Sequence, residues 1–154
     1  MTYTETRIAK LRTYLFQILD NMMYDGKYQI NANMLSLDVN NYSLDKIPTE
    51  VEVQKWIIGD EIHRDLFSFR SRMAYSQDAI NNLKNIGFFE EFEQTIRYNN
   101  NNGILPDIED IESIECLNCG TMTIANTNTA EFEIQLQITY RQNDEEGGIS
   151  LWKL

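Results

Sequence analysis

Proline, cysteine and histidine are nearly missing from this sequence, at 2, 2 and 1 in 154 residues. Two cysteines, Cys116 and Cys119, are too few for a disulfide framework, and a reducing cytoplasm would keep them as thiols. A structural zinc site wants four ligands, and the only histidine, His63, lies far from Cys116-x-x-Cys119 in the sequence. The pair therefore reads as thiols at a strand tip, and zinc could enter only if subunits pooled their pairs. Positive charge is also scarce. The formal net charge is -11 at pH 7, and residues 76 to 154 hold 4 Lys and Arg against 14 Asp and Glu. Such a surface repels nucleic acid, because duplex binding rests on cations that neutralise phosphates. Long apolar runs are missing too. The opening "MTYTETRIAKLRTYLFQIL" threads charges through its apolar residues, which is unlike a signal peptide, and no run reaches membrane-spanning length. The expectation is a chain that stays in the cytoplasm where it is made, with no membrane partner. No nucleophile elbow and no glycine-rich phosphate cradle is present, so neither an enzyme nor a cofactor is expected.

What is present is one domain's worth of patterned sequence, with a hydrophobic share of 42%. Ile8, Leu11, Leu15, Ile18, Leu19 and Met22 recur at three- and four-residue steps, which predicts a helix over about residues 5 to 24 with Thr4 as its N-cap. Residues 28 to 48 carry mixed signals and predict one short strand. "EVEVQKWII" and "LFSFRSRMAY" each alternate in polarity and predict a hairpin joined by the polar connector "GDEIHRD". Ser76 suits an N-cap, with Asp78 in the first turn. Ala79, Ile80, Leu83, Ile86, Phe89, Phe92 and Ile96 then predict a second amphipathic helix to about residue 98. "NNNNGILP" is turn chemistry. Two or three strands follow, and in the last of them Phe132, Ile134, Leu136, Ile138 and Tyr140 share one face, with Glu131, Glu133, Gln135, Gln137, Thr139 and Arg141 on the other. The predicted class is α+β, an antiparallel sheet with two long amphipathic helices packed on one face. Residues 1–142 form that single domain. Residues 143–154 form an acidic and glycine-containing linker and an apolar tail.

Partner-contact candidates come from charge and stray apolarity. The connector supplies Asp60, Glu61, His63 and Arg64, and the strand after it supplies Arg70 and Arg72. Glu90, Glu91 and Glu93, with Asp107, Glu109, Asp110 and Glu112, make an acidic belt. Dense carboxylates without histidine spacing read as a solvated surface and not as a metal site, so no catalytic, cofactor or metal residue is assigned. A basic strand face and an acidic belt could meet between copies of the chain. After "NDEEGG", the segment "ISLWKL" carries Leu151 and Trp152 as apolar anchors for docking, on the chain's own body or on a neighbour.

The order of these signals resembles a known family. "YSLDKIPTEVEVQKWIIGDEIHRDLFSFRSRMAYSQDAINNLKNIGFFEEFEQTI", followed by "GILPDI" and "EFEIQLQITY", is similar to the central block of phage tail terminator proteins of Gram-positive phages, prophages and phage tail-like particles, often labelled minor capsid proteins. The likeness spans about residues 42 to 140, and the order and spacing of its parts carry it. The segment "ISLWKL" has no counterpart in that pattern. The resemblance implies a structural virion protein, assembled in the host cytoplasm and placed at the neck-proximal end of the tail. It implies a hexameric ring that caps the tail tube, ends tube polymerisation and offers the head-to-tail joining surface. The implied partners are further copies of the chain, the tail tube protein, a neck or connector protein and, in a contractile tail, the sheath protein. DNA would pass through the ring without specific binding. The alternatives are another neck or tail-completion component, such as a head-tail connector, and a small bacterial regulatory binding protein.

Overall fold

The computed structural model describes residues 2–22, 29–32, 35, 41–48, 52–55, 60–74, 79–118, 120–125 and 128–143. Helix α1 (Arg7–Met22) follows a short 3-10 turn at Tyr3–Glu5. The strands are β1 (Gln29–Ala32), β2 (Asn41–Ile47), β3 (Glu52–Lys55) and β4 (Asp60–Ala74). Helix α2 (Ala79–Asn101) comes next, and β5 (Ile111–Cys116), β6 (Thr121–Ala125) and β7 (Thr129–Asn143) complete the order.

All seven strands join one sheet, built around the antiparallel pair of 15-residue strands β4 and β7. On the outer side of β4, β2 pairs with its second half and β3 with its first, so the two act as one interrupted strand. Pro48 follows β2, and proline can donate no ladder hydrogen bond. The other edge repeats the device, with β5 and β6 pairing successive parts of β7. In the gap between them the backbone N–H of Gln135 donates to Asn118 Oδ1 at 2.7 Å, and Leu117 N–H donates to the Gln135 carbonyl at 2.8 Å. Strand β1 lies parallel to β2 at the first edge. The sheet is thus mixed, with every pairing antiparallel except this one.

Alternation sorts the two faces. Phe67 and Phe69 of β4 lie level with Leu136 and Ile134 of β7, and Leu44 of β2 is level with Phe69. These side chains are buried with Leu11, Leu15, Ile18 and Leu19 of α1 and Phe89, Phe92 and Ile96 of α2 in one core. Both helices therefore cover the same face. Stacking continues through the layers, with the Phe92 ring 5.5 Å from Phe69 and the Phe89 ring 5.0 Å from Phe132. Each fully buried aromatic or aliphatic side chain of this kind contributes about 1.5–3 kcal/mol by leaving water.

Asparagines fasten α2 to its surroundings. Asn85 Nδ2 donates to the Ala74 carbonyl at 2.7 Å, and Asn100 Oδ1 accepts from Ile114 N–H at 2.9 Å. The helix runs accordingly from the Ala74 end of the sheet toward β5. It stops where Gly103 takes a left-handed φ of 71° and Ile104 N–H reaches back to the Asn99 carbonyl at 2.8 Å. This is the turn foreseen at "NNNNGILP".

Several expectations need correction. The cap of α1 is Thr6 and not Thr4: Thr6 Oγ1 accepts from Ala9 N–H at 3.3 Å, and α1 starts at Arg7. Residues 28 to 48 contribute two strands instead of one, since Tyr42 and Leu44 are fully buried despite the weak alternation around them. The connector "GDEIHRD" is not a loop through most of its length, because β4 begins at Asp60. Leu83 and Ile86 were expected on the buried stripe of the second helix but are 64% and 52% exposed. Phe89, one turn beyond Ile86, is buried. The Ser76 cap, Asp78 and Cys119 lie outside the described residues.

Candidate functional site

The polar residues singled out from sequence separate onto the two sides of the sheet. Odd-numbered residues of β4 face the helices and even-numbered ones face away, as the burial of Phe67 and Phe69 requires.

On the helix side, Glu61 and His63 sit near the start of β4, where His63 Nε2 and Glu61 Oε2 are 2.6 Å apart. His63 is buried against Tyr140, with ring centroids 5.6 Å apart, and its Nδ1 has no hydrogen-bond partner. Asp65, absent from the sequence candidates, is the centre of this region. Its side chain is 1% exposed, with Arg7 Nε donating to Oδ2 at 2.5 Å and Lys46 Nζ 3.6 Å from Oδ1. The Arg7 guanidinium also lies 4.5 Å over the Tyr140 ring. Burial raises the Tyr140 pKa; the Asp65 charge adds to the rise and Arg7 opposes it. A cleft of about 640 Å³ opens beside this cluster, lined by Arg7, Lys10 and Arg141 together with Asp107, Glu109 and Asp110 among others. Its charges largely answer one another. Lys10 pairs with Asp107 at 3.3 Å, and Arg141 pairs with Glu112 at 3.2 Å. It holds no nucleophile with an adjacent base, and among the described residues no three His, Cys, Asp or Glu side chains gather as metal ligands would.

On the other side, Arg70 and Arg72 form a network that the sequence did not reveal. Arg70 Nε donates to Asp45 Oδ2 at 2.6 Å, and its Nη1 lies 3.5 Å from Glu131 Oε1. Arg72 Nη2 lies 3.9 Å from Glu131 Oε2, with the two side chains 8% and 11% exposed. Ser43 Oγ bonds Asp45 at 2.9 Å. Arg64 is on this same face, half-buried, with its Nε buried and without a hydrogen-bond partner. The arginines were expected to offer positive charge to a neighbouring copy. Asp45 and Glu131 already neutralise them, so reversal would bury like charges. The register that pairs Arg72 with Glu131 is the signal that would have shown this, and it is not legible without the sheet.

The acidic candidates of α2 lie across the sheet from that network. Glu90 and Glu91 are exposed, and Glu93 is half-buried and pairs with Arg97 at 3.1 Å. The backbone of Asp60 pairs with Asn143 at the end of the β4–β7 ladder. Leu151 and Trp152 lie outside the described residues.

No protein-family model matches this chain, and no curated protein matches it either.

Proposed function

We propose that this chain is a structural subunit of a phage or phage-like tail, forming a ring of about six copies that caps the head-proximal end of the tail tube. In that role it ends tube growth and presents a joining surface to the neck. The observation that carries the reading is the coincidence between the resembling segments and the core. "YSL" supplies Tyr42 and Leu44, "LFSF" supplies Phe67 and Phe69, "GFFEEFEQTI" supplies Phe89, Phe92 and Ile96, and "EFEIQLQITY" supplies Phe132, Ile134, Leu136 and Ile138, all buried in one cluster. A likeness concentrated on core positions in the same order supports a shared fold, while the exposed residues between them are free to differ.

Electrostatics and symmetry support the same role. A net charge of -11 discourages a passing DNA strand from sticking to the inner wall of a ring. Closure of a ring needs two different surfaces on each copy, and this chain offers dissimilar ones, an acidic helix flank and a polar sheet face, on opposite sides.

Mixing the protein with purified tail tube protein and measuring tube lengths by electron microscopy tests the role. Short tubes with a ring at one end are expected. An unchanged length distribution, with a strict monomer by light scattering, would reject it.

A further inference from the structure

Several of the exposed apolar side chains among the described residues belong to one edge strand and its surroundings. Strand β6 is exposed along all five residues, with Met122 at 46% and Ile124 at 53%, and Leu117 just before it is 47% exposed. It carries no lysine, proline or other charge of the kind that usually protects an edge strand. Helix α2 contributes Leu83 and Ile86. Gly120 lies so close to the Phe89 ring that an added Cβ would collide with it, which fixes this edge against α2. Glu93 and Arg97 share a cavity with Ile114, Glu115 and Cys116 of β5, so the flank of α2 that carries them faces the β5 side of the sheet. Ile86 precedes Glu93 by two turns on that flank. Met122 is level with Phe132, on the helix side of the sheet. Ile86 and Met122 are therefore exposed on the same side of the sheet, toward the same edge, and we take the strip between them as a groove.

The chain's own sequence holds a segment suited to it. Beyond Gly147-Gly148, Ile149, Leu151 and Trp152 form an uncharged apolar stretch. The reach from β7 decides whose groove it can fill. Met122 is level with Phe132, and β7 runs from there to Asn143, about 36 Å at the usual ~3.3 Å per residue. Trp152 stands nine residues past Asn143, so a fully extended chain carries it at most about 31 Å, before any turn back is made. Leu151 and Ile149 reach less far. At full extension only the Trp152 ring could touch the near end of the copy's own β6, so the backbone of residues 149–152 cannot lie along it, whereas β6 of a neighbour carries no such limit. Lys153, next to Trp152, would then pass the carboxylates of Glu90 and Glu115, which are exposed around this edge.

We propose that residues 149–152 of one copy lie extended along β6 of a second copy, adding to the edge strand and covering Met122 and Ile86 on the helix face and Ile124, which is level with Glu131, on the other. Edge addition of this kind takes affinity from main-chain hydrogen bonds and specificity from alternate side chains. The contact is head-to-tail, since it joins two different surfaces, and so it can propagate around a ring. It stands apart from the tube-capping role and would link copies in any assembly.

Two full-length variants test it by complementation. Ile86→Asp with Met122→Asp spoils the groove and keeps the tail; Leu151→Asp with Trp152→Asp does the reverse. Light scattering should give a mass above the protomer for the parent, protomers for each variant alone, and a one-to-one heterodimer when they are mixed, because only one productive contact remains. A labelled GGISLWKL peptide should bind the tail variant and bind the groove variant at least ten-fold more weakly by fluorescence anisotropy. This second measurement needs no assembly. Protomers in the mixture, a parent that stays a protomer, or peptide binding indifferent to Ile86 and Met122 would overturn the proposal. Heterodimers with tubes left uncapped would retain this contact and remove the tube role, whereas capped tubes without heterodimers would do the opposite.

Discussion

Arg72 lies directly across from Glu131 in the β4–β7 ladder, with 3.9 Å between Nη2 and Oε2 and both side chains about nine-tenths buried. The pair has been taken out of water, and its Coulomb attraction offsets that desolvation only while both partners remain. Arg72→Glu leaves two carboxylates facing each other in a poorly hydrated site. The expected loss is about 3 kcal/mol or more, read as a lower urea midpoint at unchanged slope. Adding Glu131→Arg should recover part of it. A midpoint that does not move in the single variant would show that the site is hydrated enough to hold two carboxylates, and the pair would then have no structural role.

Tyr14 gives a signature at alkaline pH. Its hydroxyl donates to the Ile104 carbonyl at 2.8 Å and accepts from Asn99 Nδ2 at 3.1 Å, joining α1 to α2 and the turn beyond it. Burial raises its pKa above the ordinary 10.0, a rise that the Asn99 hydrogen bond opposes. Burial raises Tyr140 as well. Above pH 10 the unfolded chain loses these protons more readily than the folded one, so the stability they contribute is complete below that pH and falls as pH rises through the folded values. Unfolding midpoints should therefore decline from about pH 10 upward. In Tyr14→Phe with Tyr140→Phe the protein should be less stable near neutrality, through the lost hydroxyl bonds, yet decline less steeply. Parallel pH profiles would contradict the assignment.

Much of the core was legible because burial here follows simple periods. Leu11, Leu15, Ile18 and Leu19 were placed by a 3.6-residue repeat, and Phe132 through Tyr140 by strict alternation. Tyr42 and Leu44 were harder to see, since β2 is seven residues long and its polar neighbours Ser43 and Asp45 belong to the Arg70 network. The interrupted edge strands were not visible because their register depends on β4 and β7, which are distant in sequence. The same limit hid Asp65 as the centre of a buried charge cluster. Its partner Arg7 is 58 residues away, and nothing local to either marks the pairing. Leu83 and Ile86 failed in the opposite sense: the helical repeat continues through them, but the period says nothing about what lies opposite.

Gly87 isolates helix propensity from packing. It lies inside α2 on the exposed side, and an added Cβ would meet nothing within 4 Å. Alanine there removes the backbone entropy that glycine loses in a helix, without strain. Gly87→Ala should raise stability by about 1 kcal/mol, measured by thermal or urea unfolding. A loss instead would mean that the helix backbone at this point is approached by something an isolated chain does not contain.

Arg7 does two jobs that a lysine cannot combine, and this separates charge from shape at the α1 end of the fold. It donates to the buried Asp65 carboxylate and lies 4.5 Å over the Tyr140 ring, while Lys46 approaches Asp65 at only 3.6 Å. Arg7→Ala leaves Asp65 buried with its weaker partner, for an expected loss of about 3 kcal/mol. Arg7→Lys keeps the charge and loses both the Nε hydrogen bond and the guanidinium contact with the Tyr140 ring, so it should restore only part of that loss. Asp65→Asn with Arg7→Ala completes a double-mutant cycle. If the carboxylate is held chiefly by Arg7, the double variant should be more stable than the sum of the two single losses implies, by about 1–3 kcal/mol of coupling. Strict additivity would assign the fastening of α1 to its apolar face alone, with Leu11, Leu15, Ile18 and Leu19 sufficient to hold it.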